Sequence, residues 1–390
     1  MIPPTSSLRI LLVSNYFPEH IGGVETVADN LARGYRSRGH RVCWAAAQPS
    51  DSIHRGPSDD LALPAWNITE KHFGFPYPIL HPAGIGRLIQ AVKRSDVVHV
   101  HDCLYPASVI AVIAAKNQHK PVLLTQHVGE VPYRQPALRV LQHLAYRGLG
   151  RFVLGQADQI SFISQPVARW FASFVPHARS APVIGNGVDT TLFRPAAAEQ
   201  RQAVRTELGL PTNGVVLLFC GRFVQKKGLH LLRDVAQRNP QWSLILIGRP
   251  GDTDPAAWHL PNVHVLGPMG AARLASYYQA GDVLVMPSTG EGFPVTVQEA
   301  MASGTPAVIS DELQPPIPLP GAFGTARTAV AIEAAIARAL QVPEEQPGFK
   351  ERVATFAREH WDWDASVARY EELLTALLAQ QPGRPREAVA

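Results

Sequence analysis

Short apolar runs recur along the chain, separated by stretches whose apolar positions repeat with helical spacing. Strand-length runs fall at Arg9–Ser14, Val42–Ala46, Val97–His101, Val122–Thr125, Gln159–Ile163 and Pro182–Ile184. A second series comprises Val215–Cys220, Trp242–Ile247, Val263–Leu266, Val283–Pro287 and Pro306–Ile309. Helical periodicity marks Glu25–Arg38, Leu88–Lys93, Gly228–Arg238, Ala271–Tyr278, Val295–Ser303 and Val330–Leu340. Apolar strands alternating with such helices predict parallel sheets covered on both faces. Two series predict an α/β protein of two doubly wound, Rossmann-like domains. The strand pattern lapses over Asp189–Gln202, a stretch rich in proline and alanine, and this sets an N-terminal domain at 1–190 and a second domain at 191–360. The last residues, 382–390, read as a disordered tail.

Composition narrows the class. With 390 residues, 17% of them charged, the chain is long enough for two or three domains with cores of their own. Cys43, Cys103 and Cys220 are far apart and form no CxxC pair, which argues against a disulfide framework or zinc ribbon and fits a reducing cytosol. No apolar run reaches the roughly 18 residues of a membrane span. Leu8–Val13 lacks a basic leader and a small-residue cleavage site, so it reads as a first strand and not as a secretion signal. A cytoplasmic protein is expected, with peripheral contact at the inner face of the plasma membrane as an option. Residues 1–190 carry 18 Lys+Arg against 12 Asp+Glu, whereas residues 191–390 carry 18 against 20. The cationic surplus of the first half suits either a solvated surface or contact with anionic lipid or a phosphate-bearing acceptor. Nucleic acid is not an expected partner, because no Lys/Arg cluster is interleaved with stacking aromatics.

Open parallel sheets bind ligands beyond the carboxyl ends of their strands. Three motifs fall there. Gly22-Gly23-Val24-Glu25 follows the first strand and opens a helix. Its glycines admit close backbone approach and the helix N-terminus offers N–H groups to an anion, a plain tight turn being the alternative. Gly221-Arg222 and Lys226-Lys227-Gly228 follow the first strand of the second series. A planar guanidinium fork and a compact ammonium beside a helix N-terminus suit a diphosphate. Glu291-Gly292-Phe293-Pro294-Val295-Thr296-Val297-Gln298-Glu299 separates two glutamates by seven residues. A helix starting near Val295 would aim free N–H groups at a bound group, and Glu299, one turn in, can accept hydrogen bonds from sugar hydroxyls.

With the Ala300-Met301-Ala302-Ser303-Gly304-Thr305-Pro306 run that follows, this block resembles the E-x7-E signature of the retaining glycosyltransferases of family 4, which have the GT-B fold. The resemblance extends from the GGVE loop to Trp361-Asp362-Trp363. It takes in Val98-His99-Val100-His101-Asp102, Leu124-Thr125-Gln126-His127-Val128-Gly129 and Gly185-Asn186-Gly187-Val188-Asp189. It implies two domains facing a central cleft, with the segment 361–381 forming a helix that crosses back onto the first. It implies transfer of a hexosyl unit from a UDP- or GDP-sugar to a lipid-linked or polysaccharide acceptor, with retention and with neither metal nor cofactor. By the same resemblance Arg222 and Lys227 neutralise the leaving diphosphate, and Glu299 holds the ribose hydroxyls. Glu291 bonds the transferred sugar, helped by the backbone from Phe293 through Pro294 and Val295 to Thr296. His127 reaches the sugar from the first domain, and Gly22 and Gly23 meet the phosphates or the acceptor. Where family members often carry a Gly-Gly-x-Pro-Glu loop, this chain has the shorter-looking segment Ser310–Pro318. A nucleotide-sugar epimerase of the same fold and a donor-binding protein without turnover are the alternatives.

Other patterns invite a sharper reading than they support. Asp252-Thr253-Asp254 and Asp362-Trp363-Asp364 have the DxD form used elsewhere to hold a divalent cation, which Arg222 and Lys227 make redundant here. His99 and His101 share a strand face without an evident third metal ligand, so strand-end hydrogen bonding is expected of them. Arg139, His143, Arg147 and Arg151 form a stripe opposite Leu138, Leu141, Leu144, Ala145 and Leu149. It reads as the solvated face of a core-packed helix, with a membrane surface as the alternative. The aromatic segment His72–Tyr77 is open between a core role and a membrane or acceptor role.

Overall fold

The computed structural model describes residues 7–20, 23–49, 56–69, 77–130, 135–289, 293–313 and 319–381, apart from the side chains of Ala198 and Glu344. Gly22, Glu291, residues 72–76, residues 314–318 and the tail 382–390 lie outside the described residues. The chain divides into two units, Met1–Asn186 with Ser366–Ala390, and Gly187–Ala365.

The first unit runs β1 (Arg9–Tyr16), α1 (Gly23–Ser37), β2 (Arg41–Pro49), β3 (Leu61–Trp66), β4 (Ile79–Leu80), α2 (Pro82–Arg94), β5 (Val97–His101), α3 (Pro106–Asn117) and β6 (Val122–Gln126). It continues through α4 (Pro136–Ala145), a π turn over Tyr146–Gly150, α5 (Arg151–Gln156), β7 (Gln159–Phe162) and α6 (Gln165–Ala172). Prolines 82, 106 and 136 open their helices, where the missing N–H costs nothing. The sheet order is β4-β3-β2-β1-β5-β6-β7, parallel except for the two-residue edge strand β4. Every residue of β5 and β6 is buried, which is why these strands read as unbroken apolar runs.

The second unit runs α7 (Ala198–Glu207), β8 (Val216–Cys220), α8 (Leu229–Arg238), β9 (Ser243–Ile247), β10 (Val263–Leu266), α9 (Ala271–Ala280), β11 (Val283–Met286), α10 (Val295–Ala302), β12 (Ala307–Ser310), β13 (Ala322–Thr325), α11 (Ala329–Glu345) and α12 (Phe349–Trp361). Its six strands are all parallel, in the order β10-β9-β8-β11-β12-β13. Each unit has its own apolar core.

The last helix, α13 (Trp363–Ala379), packs on the first unit. Val367 lies over Gly34, where a Cβ would come within 2.3 Å of Val367 Cγ2. Glu371 accepts from Arg38 at 2.9 Å and pairs with His40 at 2.9 Å, and the Tyr370 ring lies 5.2 Å from that of His99.

The structure departs from the sequence reading at several elements. β3, β4 and β13 are strands that the apolar pattern does not predict. β3 carries Pro64 and β13 carries Gly324, the residue types that weaken a strand signal. Pro182–Ile184 forms only an isolated bridge, Val183 with Phe162. The stripe helix is not core-packed on its leucine side: Leu141, Leu144 and Leu149 are exposed.

Candidate active site

Strand order reverses between β1 and β5 in the first sheet and between β8 and β11 in the second, and loops that leave such neighbours in opposite directions open a crevice beyond their carboxyl ends. In the second unit, the loop after β8 holds Arg222 and Lys227. Arg222 is exposed and Lys227 half-buried. The Lys227 side chain lies over Gly221, whose Cβ would stand 3.5 Å from Cε and 3.6 Å from Nζ. Two backbone bonds fix the loop, Phe223 N–H to the Arg249 carbonyl (2.9 Å) and Gln225 N–H to Asp252 Oδ1 (2.8 Å). Across the switch point, Thr289 N–H donates to the Lys226 carbonyl at 3.0 Å, so the basic loop and the loop before α10 are tied together.

α10 begins at Val295 after Pro294, whose side chain caps nothing. Val297 N–H turns back to the Pro294 carbonyl at 3.0 Å, and the N–H groups of Val295 and Thr296 meet no acceptor among the described residues, so they remain open to a ligand. The Phe293 ring rests 5.3 Å from Trp361, and Thr296 Oγ1 is buried without a hydrogen-bond partner among the described residues. Glu299 sits in the second turn, where Tyr278 of α9 donates to Oε2 at 3.1 Å. Burial pushes the Glu299 carboxyl up to about 7 from 4.5, against the Tyr278 bond that favours the anion. A carboxyl raised on folding binds a proton that the unfolded chain has released. Its contribution is fully present below pH 4.5 and lost as pH rises through about 7. Melting temperatures of wild type and Glu299→Gln, measured without ligand from pH 4 to 9, should therefore diverge, the wild type falling relative to the variant over that window. Parallel profiles would mean that the carboxyl is not desolvated.

In the first unit, Gly23 opens α1 with no atom within 4 Å of where its Cβ would lie. Glu25, in the first turn, is buried and its carboxyl is raised, chiefly by desolvation. Beyond β5, Asp102 takes the left-handed conformation (φ 61°) and turns its carboxylate inward. Oδ1 accepts from the Gln126 side chain and from the N–H groups of His127 (3.2 Å) and Val128 (3.1 Å), while Oδ2 is buried without a partner among the described residues. Burial raises this carboxyl to about 7, the two backbone bonds opposing it. His127 is held at a second point by His101 Nδ1, 2.7 Å from its Nε2. His99 joins Thr125 (2.8 Å) and Tyr35 (3.3 Å). Burial holds His99 and His127 down at about 3 and His101 below its usual range, so all three imidazoles are neutral hydrogen-bonding groups at physiological pH.

The structure thus brings Arg222, Lys227, Phe293, Pro294, Val295, Thr296 and Glu299 onto two tied loops and one helix of the second unit, and it places Gly23 and His127 in the first. Sequence reasoning missed Tyr278, which has no motif around it, and the part Asp102 plays in holding His127. The DxD aspartates have other partners. Asp252 caps the basic loop, Asp254 accepts from Ala256 N–H (3.1 Å), and Asp362 bonds Thr190 and the Asp364 N–H.

Comparison with known proteins agrees with this layout. Residues 21–192 match the model for Glycosyltransferase Family 4 and residues 214–341 that for Glycosyl transferases group 1. A phosphatidyl-myo-inositol mannosyltransferase of Mycobacterium tuberculosis is 28% identical over 326 residues, 78% of this chain and 78% of the relative. A GDP-mannose:cellobiosyl-diphosphopolyprenol alpha-mannosyltransferase of Xanthomonas oryzae pv. oryzae is 25% identical over 387 residues, 93% of this chain and 95% of the relative. Among solved structures, sucrose-phosphate synthase from Thermosynechococcus elongatus superposes with a TM-score of 0.72 at 20% identity, over 96% of this chain and 100% of that one. HepE of Anabaena, in complex with UDP and glucose, gives 0.68 at 20% identity, over 95% and 100%. Two glycosyltransferase models matched in tandem, on two Rossmann-like units that end in the loops described, lead to one assignment: the chain belongs to the family 4 glycosyltransferases and has their GT-B fold.

Proposed function

We propose that this glycosyltransferase moves a hexosyl unit from a UDP- or GDP-sugar to a lipid-linked or polysaccharide acceptor, with retention of the anomeric configuration and without a metal ion. The observation that carries the reading is the pair of tied loops: Arg222 and Lys227 on one, the uncapped N-terminus of α10 on the other, and Glu299 one turn behind it. The relatives support the substrate class, since one is named for a GDP-mannose donor and a diphosphopolyprenol-linked acceptor and another for phosphatidyl-myo-inositol. HepE was solved with UDP and glucose.

The bond from the anomeric carbon to the donor phosphate breaks through an oxocarbenium-like state, and charge accumulates on the departing diphosphate. Arg222, Lys227 and the open N–H groups of α10 are the groups that stabilise that charge. The leaving phosphate oxygen takes the proton of the acceptor hydroxyl as that hydroxyl bonds to the anomeric carbon from the same face, which gives retention. Tyr278 occupies Oε2 of Glu299 and leaves Oε1 for the ribose hydroxyls. We assign Glu291 and His127 to hydroxyls of the transferred sugar, and Gly22 and Gly23 to the acceptor or phosphates. The site of action is the cytoplasmic face of the membrane, where the lipid-linked acceptor resides.

A thermal-shift series with UDP, GDP, ADP and their hexose conjugates tests the donor side. One nucleotide family at about 100 times its Kd should raise the melting temperature by roughly 5 °C or more. EDTA should leave that shift unchanged and Glu299→Ala should abolish it. A shift that requires Mg²⁺, or that survives in Glu299→Ala, would overturn the assignment. Conversion of the donor to another nucleotide-sugar without any acceptor would point to an epimerase.

A further inference from the structure

The segment Pro136–Gln156 is one continuous helical stretch, α4, the π turn and α5, anchored on its inner side. The Tyr146 ring meets Trp170 edge-on at 5.0 Å and Phe171 at 5.4 Å, Gly150 packs beside Cys103, and Val153 and Leu154 are fully buried. Its outer side is apolar, with Val140 59%, Leu141 61%, Leu144 66%, Leu149 45% and Phe152 52% exposed. Burial elsewhere on the same helix shows that these side chains face outward because of its orientation, not because it is loose. The π turn contributes to the pattern. It holds one extra residue, which turns the following segment back by about 100° and brings Phe152 into line with Val140 and Leu144.

The charged residues of the helix itself have one sign. Arg139, Arg147 and Arg151 are exposed along it, and no Asp or Glu occurs between Glu130 and Asp158. Arg147 lies 5.7 Å from the Phe174 ring centroid, and His143 stands 3.6 Å from Glu130. An exposed apolar stripe flanked by cations, on a helix that carries no carboxylate of its own, is complementary to apolar matter below a layer of negative charge. A second copy of this chain is a poor match, because two-fold pairing would bring three arginines of each copy together with no carboxylate on either helix to offset them. Among the described residues no helix is long and apolar enough to cross a membrane, so insertion here is interfacial.

We propose that the outer face of α4–α5 docks the protein on an anionic lipid surface, with Val140, Leu141, Leu144, Leu149 and Phe152 entering the headgroup boundary and the three arginines pairing with lipid phosphates. This deepens, and takes its purpose from, the reading of a lipid-linked acceptor. Docking is measurable with no donor or acceptor present, so failure of that reading leaves the measurement intact.

The test is flotation of the full chain with vesicles of phosphatidylglycerol and phosphatidylcholine, against vesicles of phosphatidylcholine alone. Wild type should rise with the anionic vesicles and stay largely at the bottom with the neutral ones. The pair Leu141→Gln, Leu144→Gln should cut the bound fraction about tenfold or more, and the pair Arg139→Gln, Arg151→Gln about tenfold on the anionic vesicles alone. Unchanged melting temperatures would show that both variants fold. Wild type remaining at the bottom with anionic vesicles, or the leucine variant floating like wild type, would overturn the proposal. So would light scattering that finds a wild-type dimer dissolved by the leucine substitutions, since the face would then be a subunit interface.

Discussion

Alanine at Arg222 or at Lys227 is expected to lower kcat/KM by about 10²- to 10³-fold in each case, with most of the loss in kcat. The two cations lie on the loop that leaves β8 at the switch point, next to the N-terminal end of α8 and tied to the loop before α10. A diphosphate gains charge as the sugar leaves, so a fixed cation interacts more strongly with the transition state than with the bound donor. Neither substitution should unfold the loop, because its backbone is held by Arg249 and Asp252 and by Thr289, not by the Arg222 side chain. Lys227→Arg should recover only part of the loss. The lysine stem lies along Gly221 at 3.5 Å, and a guanidinium fork cannot occupy the same place as a compact ammonium. Steady-state kinetics with varied donor, paired with melting temperatures, decide the matter. A variant with unchanged kcat and a raised KM would assign the cation to donor binding alone.

The features that sequence made visible are those whose physics is local. β5, β6 and β8 are buried on both faces, so their residues are apolar without a break and the strands could be read directly. The start of α10 at Val295 follows from Pro294, which cannot continue a helix backward through its own N–H. The basic loop is a run of eight residues, 221–228, between a strand and a helix. Longer-range relations were not legible. Tyr278 reaches Glu299 because α9 packs beside α10, and nothing in the sequence across that separation of 21 positions announces it. Asp102 meets the His127 N–H because β5 pairs with β6 in the register that sets His101 opposite Thr125. The stripe over α4–α5 illustrates a further limit. Periodicity identifies two faces of a helix but not which of them is covered, and the π turn at Tyr146–Gly150 shifts the phase partway along.

Gly228→Ala should be among the most damaging single methyl groups in the second unit. Gly228 ends the turn Gln225–Lys227 and opens α8 in the left-handed conformation, φ 74°. A Cβ there would stand 2.5 Å from the Pro287 carbonyl oxygen and 3.0 Å from Pro287 Cγ. Relief by moving Pro287 is opposed by Arg327, whose Nε donates to that same carbonyl at 3.0 Å. Left-handed strain and backbone overlap together should destabilise the unit by about 2–4 kcal/mol, or roughly 5–15 °C in melting temperature. Gly267→Ala is the matched control, since no atom lies within 4 Å of its added Cβ, and its effect should stay within about 0.5 kcal/mol. The consequence for function is larger than the loss of stability. Gly228 adjoins Lys227, and Pro287 leads into the loop whose Thr289 bonds Lys226, so any shift that accommodates the methyl separates the basic loop from the start of α10. Donor-induced stabilisation should therefore vanish in Gly228→Ala even at temperatures where the variant is fully folded. If the variant is folded and still binds donor like wild type, the two loops do not act as one anion site, and the placement of the diphosphate between them is wrong.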